Sequence, residues 1–137
     1  MRAVRSRNTG PEMVLRRLLY AMGYRYRLHT SLPGRPDIAI AKRHKAIFVH
    51  GCFWHRHPRC AKARLPKTNL AYWQPKLSGN VARDRRAKNA LHRMGWDVLV
   101  IWQCQLINEQ IIRKKVRTFL GPPPLAAKRR PANSTAP

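Results

Sequence analysis

The chain has 137 residues, 44% of them hydrophobic, which is enough for one domain with a modest core. Lys and Arg number 29 against 5 Asp and Glu; the formal net charge of +24 favours a polyanionic partner, nucleic acid foremost. No run of 18 apolar residues exists, which speaks against a membrane span, and Met1–Arg5 lacks the apolar segment of an export signal.

Residues 1 to 8 are polar and basic and carry no element. Thr9-Gly10-Pro11-Glu12 reads as a helix start, with Thr9 as cap, Pro11 in the first turn and Glu12 as the capping-box acid. Val14, Leu15, Leu18, Leu19 and Met22 follow at helical spacing, and Gly23 ends the helix. A short strand is expected from Tyr24 to Leu28. The loop Leu32-Pro33-Gly34-Arg35-Pro36 delivers Asp37 to the head of a strand, Ile38–Ala41. A basic turn near 42–45 leads into a second strand, Ala46–His50. If the two strands form an antiparallel hairpin, Asp37 at one end and His50 at the other come together.

Residues 61 to 79 read as irregular, punctuated by Pro66, Pro75, Ser78 and Gly79. A polar helix is expected from Asn80 to Met94, with Val81, Ala87, Ala90 and Leu91 as its apolar stripe and Gly95 as its stop. Asp97–Trp102 reads as a buried strand. Leu106–Leu120 reads as a last helix, with Ile107, Ile111, Val116 and Phe119 toward the core. Trp96 and Trp102 are also assigned to the core, and Gly121 with three prolines opens a basic, disordered tail. The fold class is therefore α/β, a small mixed sheet with helices on both sides.

Residues 49–60 concentrate the chemistry: three histidines, two of the three cysteines and the pair Phe53-Trp54. Without an export signal, Cys52, Cys60 and Cys104 are expected as thiols or metal ligands rather than disulfides. Cys52, His57, Cys60 and Cys104 make a four-ligand set of the type zinc prefers, with Pro58 bending the loop. His55 or His50 can replace His57 on spacing alone. A site closed by four protein ligands is structural rather than catalytic.

Four stretches carry a family resemblance: Leu32-Pro33-Gly34-Arg35-Pro36-Asp37, Val49-His50-Gly51-Cys52-Phe53-Trp54-His55, Asn80-Val81-Ala82-Arg83-Asp84-Arg85-Arg86, and Gly95-Trp96 followed by Ile101-Trp102-Gln103-Cys104. In this order and spacing they resemble the Vsr family, the very short patch repair endonucleases. The resemblance implies a restriction-endonuclease-like core with a structural zinc loop over residues 1–120, with a shortened N-terminal arm, and a tail at 121–137. It implies a DNA nicking enzyme that uses Mg²⁺ and cuts 5′ of the thymine in a T·G mismatch left by deamination of 5-methylcytosine. By position, Asp37 and the Val49 carbonyl resemble the Mg²⁺ ligands, His50 and His55 the active-site histidines, and Glu12 an acid near the metal-bound waters. Phe53, Trp54 and Trp73 resemble aromatics that wedge into the duplex, and Asn80 and Met1 are further DNA-contact candidates. Cys52, His57, Cys60 and Cys104 match the zinc ligands. The implied setting is a monomer in the bacterial cytoplasm at the nucleoid, acting with mismatch-repair proteins and a repair polymerase and with no membrane. The competing expectations are a non-catalytic zinc-containing DNA-binding module and a restriction-type nuclease of the same fold with another target.

Overall fold

The computed structural model describes residues 10–28 and 31–123. Met1, the Thr9 cap, the rest of the N-terminal arm and the tail from residue 124 lie outside the described residues.

Helix α1 (Gly10–Ala21) is followed by strands β1 (Arg27–Leu28), β2 (Ile38–Ile40) and β3 (Lys45–His50). Helix α2 (Leu70–Arg93), strand β4 (Asp97–Trp102) and helix α3 (Glu109–Leu120) complete the order. The four strands form one sheet in the order β1-β2-β3-β4, antiparallel except for the parallel pair β3/β4. Among the described residues no helix is long and apolar enough to cross a membrane.

Both faces of the sheet are covered, which explains the continuous apolar runs of β3 and β4. On one face Ile38, Ile40, Ile47 and Ile101 pack with Leu15 and Leu19 of α1 and Ile112, Val116 and Leu120 of α3. On the other, Ala46, Phe48, Val98 and Val100 pack with Leu91 of α2. Side chains alternate along a strand, so His50 has the parity of Phe48 and belongs to the α2 face.

Several sequence expectations need correction. Helix α2 begins at Leu70, not at Asn80, and absorbs Pro75, Ser78 and Gly79. Proline lacks the N–H that would bond the Ala71 carbonyl, but it sits in the second turn, and the buried Leu77 packs the helix beyond it. The last helix starts at Glu109, after a 3-10 turn at Gln103–Ile107, and Asn108 caps it by accepting the Ile111 N–H. Its core face is Ile112, Val116 and Leu120, whereas Ile107 is 81% exposed and Ile111 45% exposed. Val116 is in the core and Phe119 packs against it as expected; Ile107 falls in the 3-10 turn outside the helix, and Ile112 rather than Ile111 faces inward. The first strand shrinks to Arg27–Leu28, because Tyr24 turns into the core and donates its hydroxyl to the Gly121 carbonyl. Trp102 is half-buried and lies outside the two core clusters, whereas Trp96, also half-buried, packs against the core on the α2 face as expected and stacks on His44.

Gly34 fixes how closely α2 approaches the sheet. Its φ is +74°, and a Cβ there would lie 2.5 Å from Ala87 Cβ and 3.2 Å from the Phe48 ring. Gly34→Ala must strain the loop and push α2 off β3. We expect a loss of about 1–3 kcal/mol from overpacking and the left-handed backbone, read by urea unfolding. An unchanged unfolding midpoint would show that this close approach is not limiting.

Candidate active site and metal centre

Asp37 stands just before β2, where its carboxylate accepts the Val49 N–H at 2.6 Å. The β2/β3 register pairs Ile38 with Ile47 and Ile40 with Lys45. Continued by two residues, it sets Pro36 against Val49. Proline has no N–H, so it cannot serve the Val49 carbonyl, which lies on the same strand edge as the Val49 N–H. A carboxylate and a carbonyl without a ladder donor from β2 therefore face one place. Burial raises the Asp37 pKa to about 6; the Val49 N–H opposes the rise, the nearby Glu12 carboxylate adds to it, and His55 opposes it. Glu12 is 1% exposed and reaches Arg16 at 3.5 Å. It is more than a capping residue, since it crowds Asp37 with a second negative group. Such a set suits a hard cation with oxygen ligands.

His50 and His55 stack at 3.9 Å with an interplanar angle of 8°. Asp84 of α2 joins them: its carboxylate lies 2.7 Å from His55 Nδ1 and 3.9 Å from His50 Nε2. In the sequence Asp84 stands within the stretch Asn80–Arg86 with no role assigned to it. One signal marks it out: 77, 81, 84, 87 and 91 share a face of α2, so Asp84 interrupts the stripe that buries Leu77 and Leu91. With Asp84 as acceptor, His55 carries its proton on Nδ1 and leaves Nε2 as a base. Burial, then His55, lowers the His50 pKa to about 4, with Asp84 opposing, so His50 is neutral at neutral pH.

Next to this set lies the second cluster. One ligand atom each from Cys52, His57, Cys60 and Cys104 falls within 4.8 Å of all the others. Cys104 Sγ and His57 Nδ1 are 3.5 Å apart. That is about the sulfur–nitrogen edge of a tetrahedron with bonds of roughly 2.3 and 2.0 Å, so the donors fit a zinc ion. Burial and the neighbouring Cys52 and Cys60 thiols push Cys104 up to about 11, while burial lowers His57 and keeps it in the ligand-competent form. His55, the alternative ligand, is held by Asp84 instead. Trp102 links the two centres, stacking on His57 at 4.3 Å and meeting His50 edge-on at 5.3 Å.

Phe53, Trp54 and Trp73 form a ring cluster with centroid separations of 5.2, 5.3 and 5.8 Å. Trp73 reaches it because α2 starts early. The Asn80 side chain donates to the Trp54 carbonyl at 3.0 Å and accepts from Arg83. Asp37, His50, His55, Asp84, Trp54 and Trp73 all line one cleft of about 1340 Å³. Three of the chain's five carboxylates, Glu12, Asp37 and Asp84, are among its walls, together with Arg35, Lys76, Arg83, Arg85 and Lys88.

A family model for DNA mismatch endonuclease Vsr matches residues 1–62. The chain is 49% identical over 123 residues to the type II nicking enzyme V.XorIIP of Xanthomonas oryzae pv. oryzae, covering 89% of this chain and 90% of that one. The chain belongs to the Vsr family. It is also 43% identical over 107 residues to DNA mismatch endonuclease Vsr of Escherichia coli K12, 77% of this chain and 68% of that one. The type II nicking enzyme V.NmeAIP of Neisseria meningitidis is 37% identical over 121 residues, 88% of this chain and 86% of that one. As a Vsr-family protein it is a DNA endonuclease of the nicking type, a hydrolase of phosphodiester bonds. Its positive charge then has its polyanion, since the sequence-independent part of DNA affinity comes from Lys and Arg on phosphates.

Proposed function

We propose that this Vsr-family endonuclease is a Mg²⁺-dependent enzyme that nicks one strand 5′ of the thymine in a T·G mismatch and so starts repair of deaminated 5-methylcytosine. One observation carries the reading: Asp37, the stacked His50 and His55, and Asp84 share a cleft with the Trp54 and Trp73 rings. The sheet, antiparallel with β4 added in parallel, is read as a restriction-endonuclease-like core, and the chain as a monomer at the nucleoid, with mismatch-repair proteins and a polymerase acting after the nick.

Asp37 and the Val49 carbonyl would hold Mg²⁺, with Glu12 positioned to bond its waters. When bound, the ion neutralises charge at the phosphoryl oxygens and makes a water more acidic. His55 Nε2 takes the proton of the attacking water, its ring aimed by Asp84. Neutral His50 donates a hydrogen bond to the phosphate. Cys52, His57, Cys60 and Cys104 would hold Zn²⁺, which keeps the loop that bears His55 and the wedge at a set distance from Asp37. Phe53, Trp54 and Trp73 enter the stack beside the mismatch. Unstacking costs on the order of a few kcal/mol per step, and a wobble pair reduces that cost. A DNA-binding module without activity would have no use for the Asp84–His55 pair beside a buried Asp37.

The test is nicking of T·G and fully paired duplexes with Mg²⁺, by the wild type and by Asp84→Asn. We expect a strong preference for T·G and a rate lower by roughly 10²-fold in the variant, within the range of a positioned proton acceptor. Equal cutting of both duplexes would overturn the mismatch reading. An unimpaired Asp84→Asn would overturn the proton path.

A further inference from the structure

The Cys52–Cys60 loop carries a second cleft, of about 430 Å³, lined in part by the metal-ligand candidates His57 and Cys60 and taking no part in the nicking step proposed above. Arg56, Arg59 and Arg64 line it, and among the described residues no carboxylate does. The five acids of the chain are all engaged elsewhere. Glu12, Asp37 and Asp84 line the large cleft, Asp97 pairs with Lys45 at 2.6 Å, and Glu109 pairs with Arg113 at 2.8 Å. Three arginines therefore line a notch that, among the described residues, no carboxylate lines.

The notch is also built. Arg56 is half-buried and donates to the Ala63 carbonyl at 3.1 Å, tying one side of the notch to the other. Arg56 and Arg59 hold left-handed backbone, with φ of 56° and 54°. That conformation costs a non-glycine residue about 1–2 kcal/mol. The loop is held there by bonds such as His57 N–H to the Cys52 carbonyl at 2.9 Å. Arg56 and Pro58 line both clefts, so the notch opens beside the cleft that takes the scissile strand.

We propose that the notch formed by Arg56, Arg59 and Arg64 binds a backbone phosphate of the DNA outside the nicking site, gripping the duplex where it leaves the large cleft. Guanidinium groups suit this because they pair with phosphate oxygens in a fork, and such a pairing reads no base. The inference rests on the large cleft as the nicking site, but its test reads affinity rather than turnover.

The experiment uses the zinc-loaded full chain and a fluorescent T·G duplex, without Mg²⁺. Dissociation constants are measured over a series of NaCl concentrations for wild type and Arg59→Gln/Arg64→Gln. The plot of log affinity against log salt should become shallower by about 0.9 for each phosphate that the variant no longer neutralises. The nicking rate at saturating DNA, measured separately with Mg²⁺, should stay within about twofold, since an interaction made equally in ground and transition state does not change kcat. Parallel salt plots for the two proteins would overturn the proposal. If the double variant loses zinc, Arg64→Gln, outside the Cys52–Cys60 loop, decides alone: a slope change of about 0.9 supports the notch and an unchanged slope overturns it. A chain that binds DNA with the expected slopes but shows no mismatch preference would remove the mismatch reading and leave the notch standing.

Discussion

Asp37→Asn is expected to abolish the proposed Mg²⁺-dependent nicking and at the same time to make the protein without added Mg²⁺ more stable at neutral pH. The first half follows from the ligand. A Lewis-acidic ion supplies several kcal/mol of transition-state stabilisation, so losing its carboxylate lowers the rate by about 10³-fold or more. The second half follows from burial. Asp37 has a pKa of about 6 in the folded chain against 3.8 in its ordinary state, mainly because burial disfavours its charge. A folded-state value above the unfolded one means that the native state binds the proton more tightly. That contribution to stability is complete below about pH 4 and is lost as pH rises toward about 6. At pH 7.5 the carboxylate is charged, crowded by Glu12 and costly. Asn is neutral and its carbonyl can still accept the Val49 N–H. The variant should gain up to about 3 kcal/mol, the ceiling set by a shift of roughly two pKa units.

The same shift dictates a pH profile. At low Mg²⁺ the wild-type rate should rise with pH through about 6, as Asp37 loses its proton. Raising Mg²⁺ should move that limb to lower pH, because metal and proton compete for the carboxylate. Nicking rates across pH at two Mg²⁺ concentrations, with urea unfolding at pH 7.5 and zinc retained, check both halves. A variant that still nicks, or one less stable than wild type at pH 7.5, would sink the account.

Cys104→Ser should lose zinc and most activity together. Cys104 comes from the turn after β4, whereas Cys52, His57 and Cys60 come from the loop after β3. The strands are parallel neighbours, with His50 opposite Trp102, so the fourth ligand joins the loop to the sheet. Without it the remaining ligands sit on one loop, and the metal no longer ties that loop to the sheet. His55, Phe53 and Trp54 lie on that loop. A displacement of about 1 Å at a reacting group can cost about 10²-fold in rate, and we expect a loss of at least that size. Wild-type stability should increase by about 1.4 kcal/mol per tenfold rise in free Zn²⁺ above the dissociation constant, and the variant should show no such dependence. Metal analysis and unfolding at buffered Zn²⁺ supply the measurement. Full zinc content and full nicking in Cys104→Ser would refute the anchor.

The two centres were legible in the sequence to different degrees. The approach of Asp37 to the end of β3 followed from a hairpin, because pairing across a short turn is a local event. The four sulfur and nitrogen donors were legible because zinc chemistry restricts ligand types strongly. Spacing alone left His55 open beside His57, the resemblance pointed to His57, and the coordinates add that Asp84 engages His55. Asp84 was hidden for a related reason. It stands 29 residues from His55, flanked by Arg83, Arg85 and Arg86.

The start of α2 was missed because Pro75, Ser78 and Gly79 penalise a helix locally. Burial of Leu77 against the rest of the molecule outweighs that penalty, which is a tertiary effect that no window of sequence contains. Its consequence is functional, since the extra turns carry Tyr72 and Trp73 to the mouth of the cleft. By itself, then, the sequence determined the chemistry available here: five carboxylates, a set of cysteines and histidines able to hold a metal, a group of aromatics and an excess of cations. Only the tertiary structure decided which groups meet. The pairing of His55 with Asp84, the carbonyl of Val49 facing Pro36 and the arginine notch all depend on how α2 and the Cys52–Cys60 loop pack against one sheet. Packing energy is summed over residues far apart in the chain, and it is there that the site is assembled.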